Sequence, residues 1–223
     1  METAKKSPPK KKLIDDSFII SKYMESTLNK NEAPKNVTIF CKEFKINEAD
    51  FYTFFGSLDA LRNEIWVKFF ENAVATIQKE PDFESYSDKN KLLTLYFTLF
   101  EVLTLNRTYV MFALPENKAM LKNLMNLKAF RNHFKDFIVS IIKSDSSVKN
   151  DTVAKVTQPI FTEGAWLQFL FLLKFWMGDT SKGFEKTDVL IEKSVNTVVD
   201  LLDTKPLESL FDLGKFLWKE KTN

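Results

Sequence analysis

From Leu13 onward, the apolar residues of this 223-residue chain recur at helical spacing. Ile20, Met24 and Leu28 stand at i, i+4 and i+8 and predict a first helix over about 14–30. Pro34 closes the connection to a short helix at about 37–43. After a turn at Lys45 and Ile46 comes a second short helix at about 48–54, with Asn47 as its N-cap. Gly56 and Ser57 interrupt the pattern, and Ser57 is placed to cap a long helix over about 58–79 that stops before Pro81. Residues 81–89 read as a polar loop, 89–105 as a helix, Asn106 as a break and 107–113 as a short helix. Pro115 opens a longer predicted helix reaching Lys143, and 144–151 read as a loop. Helices over about 151–177 (with bends expected at Pro159 and Gly164) and 184–203 follow, separated by a turn at 178–183. Pro206 begins a last predicted helix, about 206–220. No segment alternates long enough to predict a strand, and no internal repeat is evident. The expected class is all-α.

Composition sharpens this reading. Five glycines among 223 residues are few for a sheet-rich fold, and 22 phenylalanines supply a large core. Residues 1–12 hold five lysines, one glutamate and two prolines, which predicts a disordered basic arm. The expected organisation is that arm, a small helical domain over 13–57 and a larger one over 58–223. The net charge of +2 does not by itself argue for nucleic acid. Only three of the 32 basic residues are Arg, the side chain best suited to forked contacts with guanine. The start of the chain has no apolar run behind its lysines, and the longest apolar stretch, 165–177, is interrupted by Gln168 and Lys174. A cytoplasmic protein is expected.

Residues 19–66 carry a specific pattern. It consists of IleIleSerLysTyrMet (19–24), AsnValThrIlePheCysLysGluPheLysIleAsn (36–47), PheTyrThrPhePhe (51–55) and GlySerLeuAspAlaLeu (56–61). This stretch resembles the helix-turn-helix domain of the TetR family of repressors. The resemblance implies a TetR-like fold, with a three-helix head followed by a helical ligand-binding and dimerisation domain. It also implies that Lys35, Asn36, Thr38, Asn47, Ala49, Tyr52 and Thr53 face a DNA operator, aided by the lysine arm. The chain departs from the family in three respects. Between Leu13 and Phe55 five lysines meet seven acids, with Glu48 and Asp50 at the start of the recognition helix. Lys45 stands where the family usually has Gly in the turn, and a left-handed non-Gly residue costs about 1–2 kcal/mol, which points to a different turn. Leu58 stands where the family usually has a Lys.

A second resemblance covers 173–195, LeuLysPheTrpMetGlyAspThrSerLysGlyPheGluLysThrAspValLeuIleGluLysSerVal. It looks like the C-terminal signature of the TetR-like lipid-binding proteins of ubiquinone biosynthesis. That likeness implies an isoprenoid or other apolar lipid as ligand, and membrane contact by a C-terminal helix. Leu207, Leu210, Phe211, Gly214, Leu217 and Trp218 do form an apolar stripe on the predicted helix 206–220, which reads either as a membrane contact or as a helix docked on its own domain.

Both resemblances imply an apolar ligand in the C-terminal domain. Tyr96, Phe97, Phe100, Met111, Phe112, Trp166, Phe169, Leu170 and Leu173 are the candidates to line its pocket, or else they are close-packed core. They also imply a homodimer through helices 151–177 and 184–203. The faces expected to pair are Trp166, Leu170, Leu173 and Met177 on the first helix and Val189, Val195, Val198 and Val199 on the second. His133 reads as a surface or half-buried structural side chain and Cys41 as a buried inert thiol. No metal-ligand spacing, glycine-rich phosphate loop or nucleophile elbow is present, so neither enzyme, metal nor cofactor is expected. Two functions remain open. One is a one-component transcriptional regulator that binds DNA as a homodimer and an apolar ligand; the other is a lipid-binding protein on the same fold that has lost DNA binding.

Overall fold

The computed structural model describes residues 14–114, 127–143 and 151–203. Among them every regular element is helical. The α-helices are α1 (Asp16–Lys30), α2 (Val37–Phe44), α3 (Glu48–Phe54), α4 (Leu58–Ile77), α5 (Asp88–Leu105), α6 (Arg107–Ala113), α7 (Lys128–Lys143), α8 (Asp151–Gly178) and α9 (Glu185–Asp203). Single 3-10 turns lie at Phe83–Ser85 and Lys182–Phe184. The expected arm at 1–12 and helix at 206–220 lie outside the described residues, as does the loop expected at 144–151 except for Asp151, which begins α8.

Helix starts follow local capping chemistry. A short polar side chain just ahead of a helix accepts from N–H groups that have no partner within it. Asp15 does this for α1, accepting from Phe18 N at 2.7 Å, and Ser87 does it for α5, accepting from Asn90 N at 3.3 Å. The Ser57 hydroxyl accepts from Ala60 N at 3.0 Å at the start of α4.

Two predicted elements differ from the structure. The helix expected from Pro115 has its described part beginning only at Lys128, with Leu127 in a turn; 115–126 lie outside the described residues. The loop expected at 81–89 contains a 3-10 turn that buries Phe83, whose ring lies 6.4 Å from that of Phe137.

The chain divides into two compact units. The N-terminal unit holds α1 to α3, α4 as far as Ile65, and the chain from Thr108. The division therefore falls inside α4. Phe40 centres this unit: its ring lies 6.0 Å from Tyr23 and 6.1 Å from Phe51 in edge-on geometry. Ile19, Cys41, Ile46, Leu61 and Ile65 are buried with it. Burial, with a contribution from Glu48, pushes the Cys41 thiol up, which agrees with an inert buried thiol.

The C-terminal unit holds α4 from Trp66, α5, and α7 to α9. Its core is a lattice of rings. Phe130 lies 5.6 Å from Trp166 and 5.1 Å from Phe169, while Phe134 lies 5.7 Å from Trp166 and 6.3 Å from Tyr96. Each buried ring contributes about 1.5–3 kcal/mol. Tyr96 donates its hydroxyl to Ala165 O at 2.9 Å, and Gln168 Nε2 donates to Ser194 Oγ at 2.9 Å, so these two buried side chains are paired across α5, α8 and α9.

The turn between α8 and α9 is organised by Asp179. Its Oδ1 accepts from Ser181 N (2.8 Å) and Ser181 Oγ (2.7 Å), and its Oδ2 from Thr187 N (3.0 Å) and Thr187 Oγ1 (2.6 Å). Burial alone would raise this carboxyl, but the side-chain and backbone donors of Thr187 and Ser181 outweigh it and hold it well below the usual carboxylate range. A depressed folded-state pKa stabilises the fold above the unfolded value, and that contribution is lost as pH falls toward the folded one. In thermal melts the advantage of the wild type over Asp179→Asn is therefore expected to be constant from neutral pH down to about pH 4 and to shrink below it. Superimposable melts for the two proteins at every pH would remove Asp179 from this role.

Candidate functional site

Helices α2 and α3 are joined by a short turn. Asn36 caps α2, its Oδ1 accepting from Ile39 N at 2.8 Å, and Asn47 caps α3, its Oδ1 accepting from Ala49 N at 3.0 Å. Between them Lys45 takes φ 56° and ψ 38°, the left-handed conformation. The departure expected from a non-Gly residue in this turn does not occur. Ile46 N donates to Cys41 O at 2.9 Å and the Ile46 side chain is buried, so hydrogen bonding and burial together outweigh the local cost at Lys45.

Ala49, Tyr52 and Thr53 stand at i, i+3 and i+4 on α3 and are all exposed; Tyr52 is 53% exposed. Lys35, Asn36 and Thr38 are exposed around the start of α2, and Asn47 is exposed ahead of α3. The two asparagine carbonyl oxygens serve as caps, which leaves their NH2 groups as the outward donors. Thr53 donates its hydroxyl to Ala49 O at 2.9 Å, so its methyl and its lone pairs face outward. The pattern did not single out Lys42, Lys45 and Ile39, which are exposed on the same two helices and their turn; their alternation with buried neighbours was the available signal.

The acids of this unit are unequal. Glu43 accepts from Ser26 Oγ at 3.0 Å and from Lys30 Nζ, and chiefly the Lys30 contact lowers its pKa. Glu25 pairs with Lys22 at 2.5 Å. Both are thus occupied within the unit. Among the exposed charges of α2, α3 and the segments before them, Lys35, Lys42 and Lys45 stand beside Glu32 and Asp50, with Glu48 half-buried. The surface is balanced in charge, although the residue totals are acidic.

In the C-terminal unit, Tyr96, Phe100, Trp166, Phe169 and Leu173 are buried together, and Phe100 lies 6.0 Å from Phe169. Leu170 is half-buried. Phe97 does not join them, being exposed on another side of α5. Met111 and Phe112 are half-buried and belong to the N-terminal unit. A separate open depression of about 380 Å³ lies between α4 and α7, lined by Phe70, Glu71, Val74, Gln78, His133 and Phe137, with Ala75. His133 itself is exposed.

The expected pairing face of α8 is corrected. Trp166, Leu173 and Met177 are buried within their own unit, as is Val195 of α9. Among the α8 side chains described, the large apolar ones left outward are Leu167, Phe171 and Phe175, at i, i+4 and i+8, of which Leu167 is 64% and Phe171 57% exposed. Val189 of α9 is exposed as well. A helix that is apolar on every side gives no periodic sign of which side turns inward.

Residues 91–217 match the family model of the tetracyclin repressor-like C-terminal domain. The chain belongs to the tetracyclin repressor-like (TetR) family. The match spans more than half of the chain and includes the whole 173–195 stretch. No curated protein matches the chain. Among the described residues of this TetR-like protein, no helix is long and apolar enough to cross a membrane.

Relieving the left-handed strain gives a stability test. Lys45→Gly is expected to stabilise the protein by about 1 kcal/mol and raise Tm by about 2–4 °C. A lower Tm in calorimetry would show that Lys45 contributes contacts beyond its backbone.

Proposed function

We propose that this chain is a one-component transcriptional regulator that binds an operator as a homodimer and answers to an apolar small molecule. The observation that carries the reading is the left-handed turn at Lys45 between two capped short helices, on a chain with a repressor-like C-terminal domain. In such a unit the second helix enters the major groove, and lysines and helix N-termini hold the phosphates. Ala49, Tyr52 and Thr53 supply the groove-facing set, and Lys35 with the NH2 groups of Asn36 and Asn47 supply donors beside it. Asp50 and Glu48 are acceptors, which suit cytosine N4 and oppose phosphate.

The second copy covers Leu167, Phe171, Phe175 and Val189. Three large apolar side chains in line on α8 are the kind of exposed stripe that marks an interface. Pairing about a two-fold axis there presents two heads for two half-sites. The ligand is apolar, because the interior between α5, α7 and α8 is mostly aromatic and its Tyr96 and Gln168 are already paired.

Fluorescence anisotropy against the duplex upstream of the gene, with a scrambled duplex as control, tests DNA binding. Tight binding to the native duplex alone, weakening steeply with salt, is expected. Tyr52→Ala is expected to weaken it about tenfold or more, in line with about 1–3 kcal/mol for a base-reading contact. Equal weak binding to both duplexes, or none, would overturn the regulator reading and direct attention to lipid binding on the same fold. For the dimer, Phe171→Glu is expected to give a monomer in sedimentation analysis, by placing a charge in the apolar centre of the interface. An unchanged dimer would move the interface elsewhere.

A further inference from the structure

We propose that the depression between the end of α4 and α7 is a binding site for a small organic cation with an aromatic or alkyl body. The depression belongs wholly to the C-terminal unit and opens to solvent. Phe130, Trp166 and Phe169 of the ring-filled interior do not line it. Its volume of about 380 Å³ is at the lower end of the range for small-molecule sites, which suits a compact ligand.

Two helical stripes build the site. Phe70, Glu71, Val74, Ala75 and Gln78 follow one another at i, i+1, i+4, i+5 and i+8 along α4 and its end, and His133 and Phe137 stand at i and i+4 on α7. The Phe70 and Phe137 rings lie 6.0 Å apart with an interplanar angle of 83°, so they meet edge to face. Phe83 stacks on Phe137 at 6.4 Å and helps to fix that ring. Glu71, Gln78 and His133 are exposed and form the polar edge.

The chemistry of this lining selects a cation. Aromatic faces are negative and attract positive charge. The same group of rings already holds one ammonium: Lys91 Nζ lies 5.8 Å from the centroid of Phe83, with only 3% of its side chain exposed. At the depression the acid is Glu71, and no Lys or Arg is among the lining residues. Glu71 pairs with Lys68 at 3.0 Å, but an exposed pair of this kind contributes little and leaves the carboxylate free to turn to a ligand. Arg131 and Lys135 of α7 are engaged with Glu163 of α8, at 2.6 and 2.5 Å, two positions round the helix from His133 and Phe137. An anion would meet Glu71 with no basic side chain in the lining, and a wholly apolar molecule would cover Glu71, Gln78 and His133 without a partner. An ammonium group suits the rings and the acid together, and Gln78 Oε1 and a ring nitrogen of His133 are acceptors for its N–H groups. The site stands whether or not the protein binds DNA.

His133 is the one histidine of the chain, so its imidazole signal in carbon–proton NMR of the full-length protein reports on this site alone. Three probes share one ring and differ in charge: benzylammonium, benzyl alcohol and benzoate. Benzylammonium is expected to move the His133 signal saturably with Kd on the order of 1 mM, and the other two to bind at least about fivefold more weakly. Glu71→Gln is expected to weaken benzylammonium about threefold, as befits an exposed charge pair. Ala75→Trp fills the depression from an exposed position and is expected to abolish the saturable shift without loss of Tm. No saturable shift, or equal shifts with all three probes, would refute a cation site. A benzylammonium response unchanged in Ala75→Trp would place binding elsewhere and overturn the proposal, and one unchanged in Glu71→Gln would remove the charge complementarity on which the ligand class rests.

Discussion

The contact on which the C-terminal unit depends is ring against ring. Phe130, Phe134, Trp166 and Phe169 lie within 5.1–6.2 Å of one another across α7 and α8, and Trp66, Phe70 and Tyr96 extend the lattice from α4 and α5. Large rigid rings bury much surface while losing little side-chain entropy, and their edge-on and tilted packing sets the spacing of the helices. Two polar groups that enter this interior are matched to partners, Tyr96 to Ala165 and Gln168 to Ser194. Outside the lattice, Glu163 accepts from Arg131 at 2.6 Å and from Lys135 at 2.5 Å, which ties α7 to α8 at the rim, where such pairs contribute little.

The N-terminal unit follows another economy. It is small, and Phe40 stands at the meeting point of its helices, with Tyr23 on α1 and Phe51 on α3. Its charge total suggests repulsion from a polyanion, yet hydrogen bonds and ion pairs within the unit occupy Glu25 and Glu43. What matters for a partner is the charge that faces outward, and on α2 and α3 the lysines and acids are nearly balanced. On the proposed regulator reading, contact with DNA depends on hydrogen bonds and on the Tyr52 ring more than on charge density.

Much of the helix layout was legible because its signals are local. Asn47 capping α3, Ser57 ahead of α4, and the break at Asn106 each reflect a side chain or a backbone group acting within four residues. The 3-10 turn at Phe83 was not legible, because its cause is the distant ring of Phe137. Lys45 was misjudged for a related reason. Residue type predicts the cost of a left-handed conformation, but burial of Ile46 and its bond to Cys41 decide whether that cost is met.

By itself the sequence determined the all-helical class and the limits of most helices. These depend on capping and on helical periodicity, both written in short stretches. Only the tertiary structure decided which side of α8 turns inward and which aromatic residues meet across helices. The deciding neighbours are distant in sequence, as Ala165 is from Tyr96, 69 positions away. A helix that is apolar all round carries no mark of its buried face until another helix covers one.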